Sequence, residues 1–396
     1  MTDPLKTAEP GQTGTTPSDL KVGRVQDPTK IVGLVHFETG TLWPMPLTTR
    51  RFTVSSRSPG PDEPPGPPGS NIVIASKYVS SPHCTLTRTS LGLQVACAGS
   101  KNGTYFHGEK VKKPFYLRPG NLFAVAAISH RLIALNGQMF SSYPRLIDIL
   151  GEQHEHATPS VTVTPSGFLV IAAGRRHVLI TSGEHCEQHV LAQLIHELVP
   201  FEGRPSVECR TVPVDPAAQS EIVHRAVRST LILNIGDDDT RIPSRFLDAV
   251  FSSRNQIRVV MLARGMSVAD RALGQTYIGQ MQHMWVPELS SRPEMIHRLL
   301  DGMFEERGSA LRVANMTAQN QAVLQGHSWP EDFASLRQAA DLLVAIHKNG
   351  TKNAAAQALG MSPSSMYDWW KSMRFSKHLL ASEESAGPDN GGVGAG

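Results

Sequence analysis

Arginine, serine and lysine side chains beside short apolar segments could bind an anion. Arg57 follows F-T-V-S-S, Ser80 lies in V-S-S-P-H, and Lys101 lies in G-S-K-N-G-T. A dianionic phosphate requires a guanidinium fork together with hydroxyl and amide donors, presented by loops on a rigid scaffold. These three residues can supply such donors, so their types point to a phosphorylated ligand.

The scaffold that must hold these loops has the pattern of a β-sandwich. From Ile31 to about Gly137 the chain consists of short segments rich in β-branched residues, such as I-V-G-L-V-H-F, N-I-V-I-A and L-G-L-Q-V-A, broken by Gly, Pro and Ser. The stretch Ser58–Ser70 carries six prolines and three glycines in thirteen residues. We therefore expect an extended surface loop there.

In order and spacing, these segments resemble a forkhead-associated (FHA) domain. The resemblance rests on F-T-V-S-S-R, N-I-V-I, V-S-S-P-H, G-S-K-N-G-T, H-G-E-K-V and L-R-P-G-N. It implies an eleven-stranded β-sandwich whose loops bind phosphothreonine peptides. It also implies that Asn102 holds the peptide backbone, that Gly103 makes the tight turn, and that His83 braces the Ser80 loop from within.

Three features depart from the family pattern. Ser56 stands where a glycine is usual, Ser81 replaces a frequent arginine, and the Pro/Gly insertion follows Arg57 directly. The alternative is therefore that these residues only shape a sandwich whose binding pocket has lapsed.

After Pro144, apolar strands alternate with longer helical stretches, which predicts an α/β domain with a parallel sheet. Beyond about Glu288 the pattern is helical. Three stretches, H-V-L-I-T-S-G-E-H-C-E-Q-H-V-L, W-V-P-E-L-S-S-R-P-E-M-I and S-W-P-E-D-F-A-S-L-R-Q, resemble in that order the AAA+ domain of bacterial enhancer-binding proteins, the activators of sigma-54 RNA polymerase.

The nucleotide chemistry of that family is missing. A phosphate loop, G-x-x-x-x-G-K-[ST], needs glycines so that N–H groups can approach phosphate, and a lysine to neutralise it. In this chain Ser182 stands at the position of the first glycine and Glu187 at that of the last glycine. Gln188 replaces the lysine, and His189 replaces the Ser or Thr. Asn234 stands at or beside the position of the aspartate that binds magnesium. We therefore predict a degenerate, inactive nucleotide site and no enzyme.

Other parts of the family machinery are absent as well. No arginine occurs between Arg271 and Arg292, where the family keeps its finger residues, and Ala334 replaces the arginine of V-R-E-L. The G-A-F-T-G-A motif that contacts sigma-54 is missing. An active sigma-54 activator is thus contradicted by its own motifs.

The C-terminal stretch K-N-G-T-K-N-A-A-A-Q-A-L-G-M-S-P-S-S-M-Y-D-W-W-K-S-M resembles a Fis-type helix-turn-helix. The resemblance makes Ala354, Ala355 and Leu359 packing residues, Gly360 the turn, and Ser362 with Pro363 the start of the recognition helix.

This stretch could contact DNA. Residues 347–378 contain five Lys or Arg and one Asp, a net charge of +4, whereas the whole chain carries +3. The candidate contacts are Lys352, Ser364, Ser365, Tyr367, Lys371 and Arg374.

An apolar stripe on the preceding helix predicts a homodimer contact through Leu336, Ala339, Ala340, Leu343 and Ile346, although the same stripe could pack on its own domain. The alternative for the whole stretch is a helical bundle that no longer binds DNA.

Composition supports a cytoplasmic protein. The N-terminus lacks the basic start and apolar stretch of a signal peptide, and the four cysteines are scattered without a C-x-x-C pair, so we expect buried free thiols, no metal and no cofactor. The predicted organisation is a disordered leader (1–28), an FHA domain (29–140, insertion 58–70), an AAA+-like domain (145–285), a helical lid-like region (286–325), a helix-turn-helix (326–380) and a disordered tail (381–396).

These features together favour a phosphothreonine-responsive, non-ATPase DNA-binding transcriptional regulator related to sigma-54 activators. Its partners would be a phosphothreonine-containing protein, either a Ser/Thr kinase or its substrate, double-stranded DNA and a second copy of the chain, with no membrane. The alternative is a phospho-dependent adaptor whose C-terminal helices are only structural.

Overall fold

The computed structural model describes residues 29–58, 69–126, 130–151, 164–183, 186–199, 204–236 and 241–381. The predicted leader (1–28), most of the predicted Pro/Gly loop (59–68) and nearly all of the predicted tail (382–396) lie outside these residues. The described residues form two compact units, one of residues 29–36 and 41–143 and the other of residues 37–40 and 144–381.

The first unit is a sandwich of two β-sheets, as the alternating segments predict. One sheet has the strand order β2-β1-β11-β10-β7-β8 and the other β4-β3-β5-β6-β9. Neighbouring strands are antiparallel except β3 and β4, which are parallel. The strands are β1 (Ile31–His36), β2 (Leu42–Pro44), β3 (Arg51–Ser55), β4 (Asn71–Val73), β5 (Cys84–Thr89), β6 (Gly92–Cys97), β7 (Thr104–Phe106), β8 (Glu109–Val111), β9 (Phe115–Leu117), β10 (Leu122–Val125) and β11 (His130–Asn136).

The sandwich core is built from the side chains that the two sheets turn toward each other. Phe52 and Val54 of β3, Leu86 of β5, Val95 of β6 and Leu132 of β11 are completely buried. Residues between them along each strand are more exposed, which is the period-two pattern of a half-buried strand. This rigid core leaves the loops at the strand ends to carry function.

The second unit contains a five-stranded parallel sheet, which confirms the predicted α/β region. The strand order is β13-β14-β15-β12-β16. Its strands are β12 (Val178–Thr181), β13 (Val207–Cys209), β14 (Thr230–Ile235), β15 (Arg258–Ala263) and β16 (Gln282–Trp285). Strands β12 and β15 are buried along their whole length, as expected for a parallel sheet covered on both faces.

Helices of the second unit cover the sheet and continue beyond it. They are α1 (Gly137–Leu150, which begins in the first unit), α2 (Pro165–Ala173), α3 (Gln188–Leu198), α4 (Pro216–Ala226), α5 (Ser244–Phe251), α6 (Met266–Leu273), α7 (Gln275–Ile278), α8 (Ile296–Glu306), α9 (Ala318–Gly326), α10 (Phe333–Asn349), α11 (Lys352–Ala358) and α12 (Pro363–Ser372). Helix α2 forms from G-F-L-V-I-A-A, a strand-like composition, because Thr164 caps its first turn and Pro165 occupies its first position.

The last five helices share one hydrophobic core. Leu300 and Phe304 of α8, Leu343 of α10, Ala355 of α11 and Met366 of α12 are completely buried within it. After α12, Leu380 forms an isolated antiparallel bridge with Met316, which lies just before α9. The predicted segments 145–285, 286–325 and 326–380 thus all lie in the second unit.

Two predictions about these helices are wrong. The stripe Leu336, Ala339, Ala340, Leu343 and Ile346, predicted to form a dimer contact, is buried in the core of its own unit. Leu359, predicted to pack the first helix, is 43% exposed, and Ala356 is buried instead.

Within the part of the chain that the structure describes, no helix has the length and apolar character needed to cross a membrane.

Candidate functional site

Three segments that carry the predicted phosphate ligands meet at one end of the sandwich. Arg57 follows the end of β3, Ser80 lies between β4 and β5, and Lys101 lies between β6 and β7. The Ser80 hydroxyl oxygen accepts a hydrogen bond from the Lys101 N–H at 3.1 Å, and the Ser80 carbonyl accepts one from the Ser56 N–H at 3.3 Å. The side chains of Arg57 and Lys101 are exposed, and the segments that carry them are both hydrogen-bonded to Ser80.

His83 connects two of these segments from inside the sandwich. Its Nδ1 accepts a hydrogen bond from the Ser80 N–H at 3.0 Å, so Nε2 carries the proton and donates to the Gly103 carbonyl oxygen at 2.9 Å. Burial lowers the pKa of His83, although the bond to Gly103 acts in the opposite direction. A neutral, fixed imidazole therefore holds the loops, in the position that the FHA resemblance implies.

Asn102 and Gly103 shape the other side of the site. The Asn102 side-chain amide donates to the Tyr78 carbonyl at 2.7 Å, which leaves its carbonyl oxygen to accept from a peptide N–H. Gly103 has a φ of +84°, a left-handed conformation that a residue with a Cβ adopts at a cost. Its missing side chain also makes room for the stem of Lys110.

The predicted nucleotide site is a cavity of about 570 Å³ at the carboxyl ends of the parallel strands. Glu187, Gln188, His189 and Asn234 all line it, while Ser182 lies directly behind it, where the Gln188 amide donates to its hydroxyl oxygen. This edge of an open parallel sheet is where ligands usually bind. The structure therefore brings together the residues that replace the phosphate-loop motif.

An ion pair lines this cavity. Glu187 has a φ of +61°, so the position of the motif's last glycine keeps a left-handed backbone although it now carries a carboxylate. That carboxylate is only 11% exposed and lies 2.7 Å from the Arg337 guanidinium on α10. A phosphate entering here would meet a carboxylate, paired with an arginine, at the position where the motif has a glycine.

The side-chain amide of Gln188 forms hydrogen bonds within the protein. In addition to Ser182, its side-chain amide lies 3.5 Å from the Gly183 carbonyl and 3.4 Å from the Ala263 carbonyl. An amide satisfied in this way supplies no positive charge to a ligand. The side-chain cation that would neutralise phosphate is thus absent from this position.

Asp332, just before α10, is hydrogen-bonded to Cys186 in the loop before α3. The Asp332 carboxylate accepts hydrogen bonds from the Leu289 N–H at 2.9 Å and from the Cys186 thiol at 3.4 Å. Burial is the main cause that raises the pKa of Asp332. The guanidinium of Arg292 lies over the Phe333 ring at 5.6 Å.

Most of the predicted DNA contacts lie on one exposed helix. Ser362 caps α12 by accepting from the Ser365 N–H at 3.1 Å, and Gly360 makes the turn with a φ of +66°. The side chains of Ser364, Ser365, Tyr367 and Lys371 on α12, and of Arg374 just beyond it, are exposed.

Lys352 differs from the other predicted contacts. Its ammonium lies 4.2 Å from the centre of the Trp370 ring and 5.6 Å from that of Tyr367, so it joins α11 to α12. Partial burial lowers its pKa.

The cysteines are not all buried as predicted. Cys84, Cys186 and Cys209 are buried, and burial is the main cause that raises their pKa, to about 12 for Cys84 and for Cys186. Cys97, at the end of β6, is exposed. Among the described residues, no cluster of three His, Cys, Asp or Glu could hold a metal ion.

Arg337, the partner of Glu187, was not among the predicted site residues. It lies three residues after Ala334, which replaces the family arginine, and both residues line the cavity. Residues three apart lie on the same face of a helix. An arginine one turn after the position of the family arginine could therefore have indicated that Arg337 faces the cavity. Arg210 and Arg264 also line the cavity and were not singled out.

Comparison with solved structures gives matches of low identity, each covering part of this chain. The NtrX protein from Brucella abortus, solved with ADP, is 16% identical with a TM-score of 0.36, and the match covers 52% of this chain and 66% of that one. The FHA-1 domain of Rv1747 from Mycobacterium tuberculosis is 13% identical with a TM-score of 0.22, covering 28% of this chain and 98% of that one. The FHA domain of the CT664 protein from Chlamydia trachomatis is 17% identical with a TM-score of 0.21, covering 26% and 94%.

Comparison by sequence identifies one domain. No curated protein matches this chain. Residues 59–126 match the family model of the FHA domain, a range that contains Ser80, His83, Lys101 and Asn102 and begins just after Arg57. The first unit of this chain therefore contains an FHA domain.

Proposed function

We propose that this protein is a phosphothreonine-responsive, non-ATPase DNA-binding transcriptional regulator related to sigma-54 activators. The observation that carries the proposal is the meeting of Arg57, Ser80 and Lys101 at one end of an FHA sandwich, on loops that the neutral His83 holds in place. The input is a phosphothreonine on a partner protein, either a Ser/Thr kinase or a substrate of one.

The chemistry of the loops supports a phosphothreonine ligand. The Ser80 hydroxyl already accepts from the Lys101 N–H, so its hydrogen is free to donate to a phosphate oxygen. The Arg57 and Lys101 side chains add charge-assisted hydrogen bonds, which are roughly twice as strong as neutral ones. Asn102 then fixes the peptide backbone beside the phosphate.

Substitution of the phosphate ligands tests this proposal. Arg57→Ala or Ser80→Ala removes hydrogen bonds to a charged group, each worth about 1.5–3 kcal/mol, so we expect about tenfold to 100-fold weaker binding of phosphothreonine peptides by calorimetry. Arg51→Ala, at the opposite end of β3, is the matched control and should bind normally. Equal binding of phosphorylated and unphosphorylated peptides by the wild type contradicts the proposal.

The geometry of the second unit supports a scaffold without ATPase activity. The Glu187 carboxylate and its ion pair with Arg337 stand in the cavity where a nucleotide phosphate would need positive charge. Asn234, a neutral amide that stands at or beside the position of the family's magnesium ligand, also lines the cavity. Each missing group costs phosphate or transition-state stabilisation, so their combined loss disfavours turnover.

Nucleotide binding and turnover test this part separately. We expect neither tight ATP binding nor hydrolysis, and Gln188→Lys alone should not restore them because Glu187 still repels phosphate. Saturable ATP binding at about micromolar affinity, or turnover above the spontaneous rate measured without protein, contradicts the scaffold proposal.

The output we propose is binding of duplex DNA through α12. Its exposed serines, Tyr367 and Lys371 can reach a groove, and Arg374 and Lys377 can contact phosphates. The alternative is an adaptor whose C-terminal helices are only structural, which the burial of the apolar face of α10 in its own unit favours.

DNA binding by the full chain separates the two functions. We expect affinity that falls steeply as salt concentration rises, and that weakens in a Lys371→Ala plus Arg374→Ala variant. Arg245→Ala plus Arg254→Ala, at two exposed arginines of the second unit outside residues 347–378, is the control with the same loss of charge. Absence of binding at low salt favours the adaptor.

A further inference from the structure

The first unit has a net positive charge because it contains few acidic residues. Residues 29–140 contain twelve Lys or Arg and four Asp or Glu, a net charge of +8, whereas the whole chain carries only +3. The rest of the chain is therefore net acidic. Among the described residues of the first unit, all twelve cations are present, and Glu109 is the one carboxylate.

Several of these cations surround the phosphate site without being part of it. Lys77 precedes Tyr78, whose carbonyl holds Asn102. The stem of Lys110 lies against Gly103. Lys112 follows Val111, which pairs with Thr104 in the β7–β8 register, so it lies beside the same loop.

These lysines are available to a ligand. Lys77, Lys110 and Lys112 are exposed, and none forms a salt bridge among the described residues. The Lys77 ammonium lies 5.2 Å from the centre of the exposed Tyr78 ring, which holds it at the rim of the site.

We propose that the partner presents its phosphothreonine within an acidic segment, and that Lys77, Lys110 and Lys112 select this segment through its flanking carboxylates. The inference rests on the proposed phosphothreonine function and adds the class of peptide to it. Phosphate binding by Arg57, Ser80 and Lys101 makes recognition depend on phosphorylation. The surrounding lysines make it depend on the neighbouring sequence.

The size of this effect follows from the exposure of the lysines. A single exposed ion pair changes affinity by only about fivefold or less, because water and salt screen it. Several cations that outnumber the nearby carboxylate Glu109 act together, however, and also raise the rate of encounter with an oppositely charged partner. We therefore expect a preference that is clear at low salt and small at high salt.

The test compares two phosphothreonine peptides that differ only in their flanks, Asp and Glu in one and Asn and Gln in the other. Binding to the full chain is measured by calorimetry at about 0.05 M and about 0.3 M salt. We expect the acidic peptide to bind about tenfold more tightly at low salt, and most of this preference to disappear in a Lys77→Gln plus Lys110→Gln variant. Arg50→Gln plus Arg51→Gln, with the same charge loss at the opposite end of β3, is the matched control and should keep the preference.

Binding of the neutral phosphopeptide reports whether each variant is intact. If Lys110→Gln weakens it, Lys77→Gln plus Lys112→Gln replaces that variant. Equal affinity for the two phosphopeptides overturns the inference and leaves the proposed phosphothreonine function standing. Absence of any phosphate dependence overturns the proposed function itself. Duplex DNA that competes with the acidic peptide, and whose binding is lost in the lysine variant but not in the arginine control, shows that these lysines serve nucleic acid and also overturns the inference.

Discussion

His83 shows how one buried residue controls an exposed site. It joins the Ser80 segment to Gly103, and both hydrogen bonds require the neutral ring with the proton on Nε2. Burial lowers its pKa in the folded protein below the ordinary value of about 6.5. Its contribution to stability is therefore complete above about pH 6.5, and is lost as the pH falls through the lowered folded value.

Hydrogen exchange tests this pH dependence. We expect the protection factors of amides in residues 78–83 and 99–104 to fall as the pH is lowered from about 7 to about 5, because protonated His83 cannot accept from Ser80. His83→Asn should show low protection that no longer depends on pH. His107→Asn, an exposed histidine of the same unit, is the control. If the protection of these amides in the wild type does not change with pH, the role of His83 is contradicted.

Lys352 is a second residue whose position decides between two roles. Its ammonium lies over two aromatic rings of α12, whereas Lys371 is exposed. We expect Lys352→Ala to lower the free energy of unfolding by about 1 kcal/mol, since a cation–π contact and stem packing are lost. Lys371→Ala should lower DNA affinity with little change in stability. Denaturant unfolding and DNA binding of both variants check this, and equal stabilities would contradict the structural role of Lys352.

At the scale of elements, the Glu187–Arg337 pair joins the loop before α3 to helix α10. Its carboxylate is nearly buried while its guanidinium is half exposed, so the pair lies between the surface and interior cases. A double-mutant cycle with Glu187→Gln and Arg337→Gln should give a coupling energy of about 1 kcal/mol in the free energy of unfolding. Effects that add within about 0.3 kcal/mol would show that the two elements are not coupled through this contact. Arg210→Gln, on the same cavity, is the matched control.

The elements were predicted from sequence to different degrees, for physical reasons. Period-two alternation indicates a half-buried strand wherever it occurs, and the sandwich strands follow it. Periodicity does not reveal what covers an apolar face, so the stripe on α10 fitted a dimer contact equally well until the structure placed it in its own core. Arg337 was missed because its partner Glu187 lies 150 residues away, and no local pattern encodes that pairing.

At the scale of the whole molecule, net charge differs between parts of the chain. Residues 29–140 have a net charge of +8, and the C-terminal stretch 347–378 has a net charge of +4 within an otherwise acidic remainder. Long-range attraction to acidic peptides and to DNA is therefore expected at two separate places. Phosphopeptide affinity should respond to substitutions in the first unit, and DNA affinity to substitutions near α12.

The size of a helix-turn-helix module predicts how many copies of the chain bind one DNA duplex. A single helix-turn-helix module buries only about 600–1,000 Å² of protein surface, and modules of this class usually read two half-sites about one helical turn apart. We therefore expect two copies of the chain on one palindromic duplex, measured by sedimentation of the full chain with DNA. The contact between copies must use a surface other than the apolar stripe of α10, because Leu343 is completely buried in its own unit.

Substitution of that buried residue separates folding from assembly. Leu343→Asp places a carboxylate in the shared helical core, so we expect it to destabilise the fold by more than about 3 kcal/mol instead of yielding a folded monomer. Lys348→Asp, one turn further along α10 and exposed, is the control for the charge change. A folded, monomeric Leu343→Asp variant would restore α10 as the dimer contact. Saturation of a palindromic duplex at one chain per duplex would contradict the two-copy arrangement, since the second half-site would then go unused.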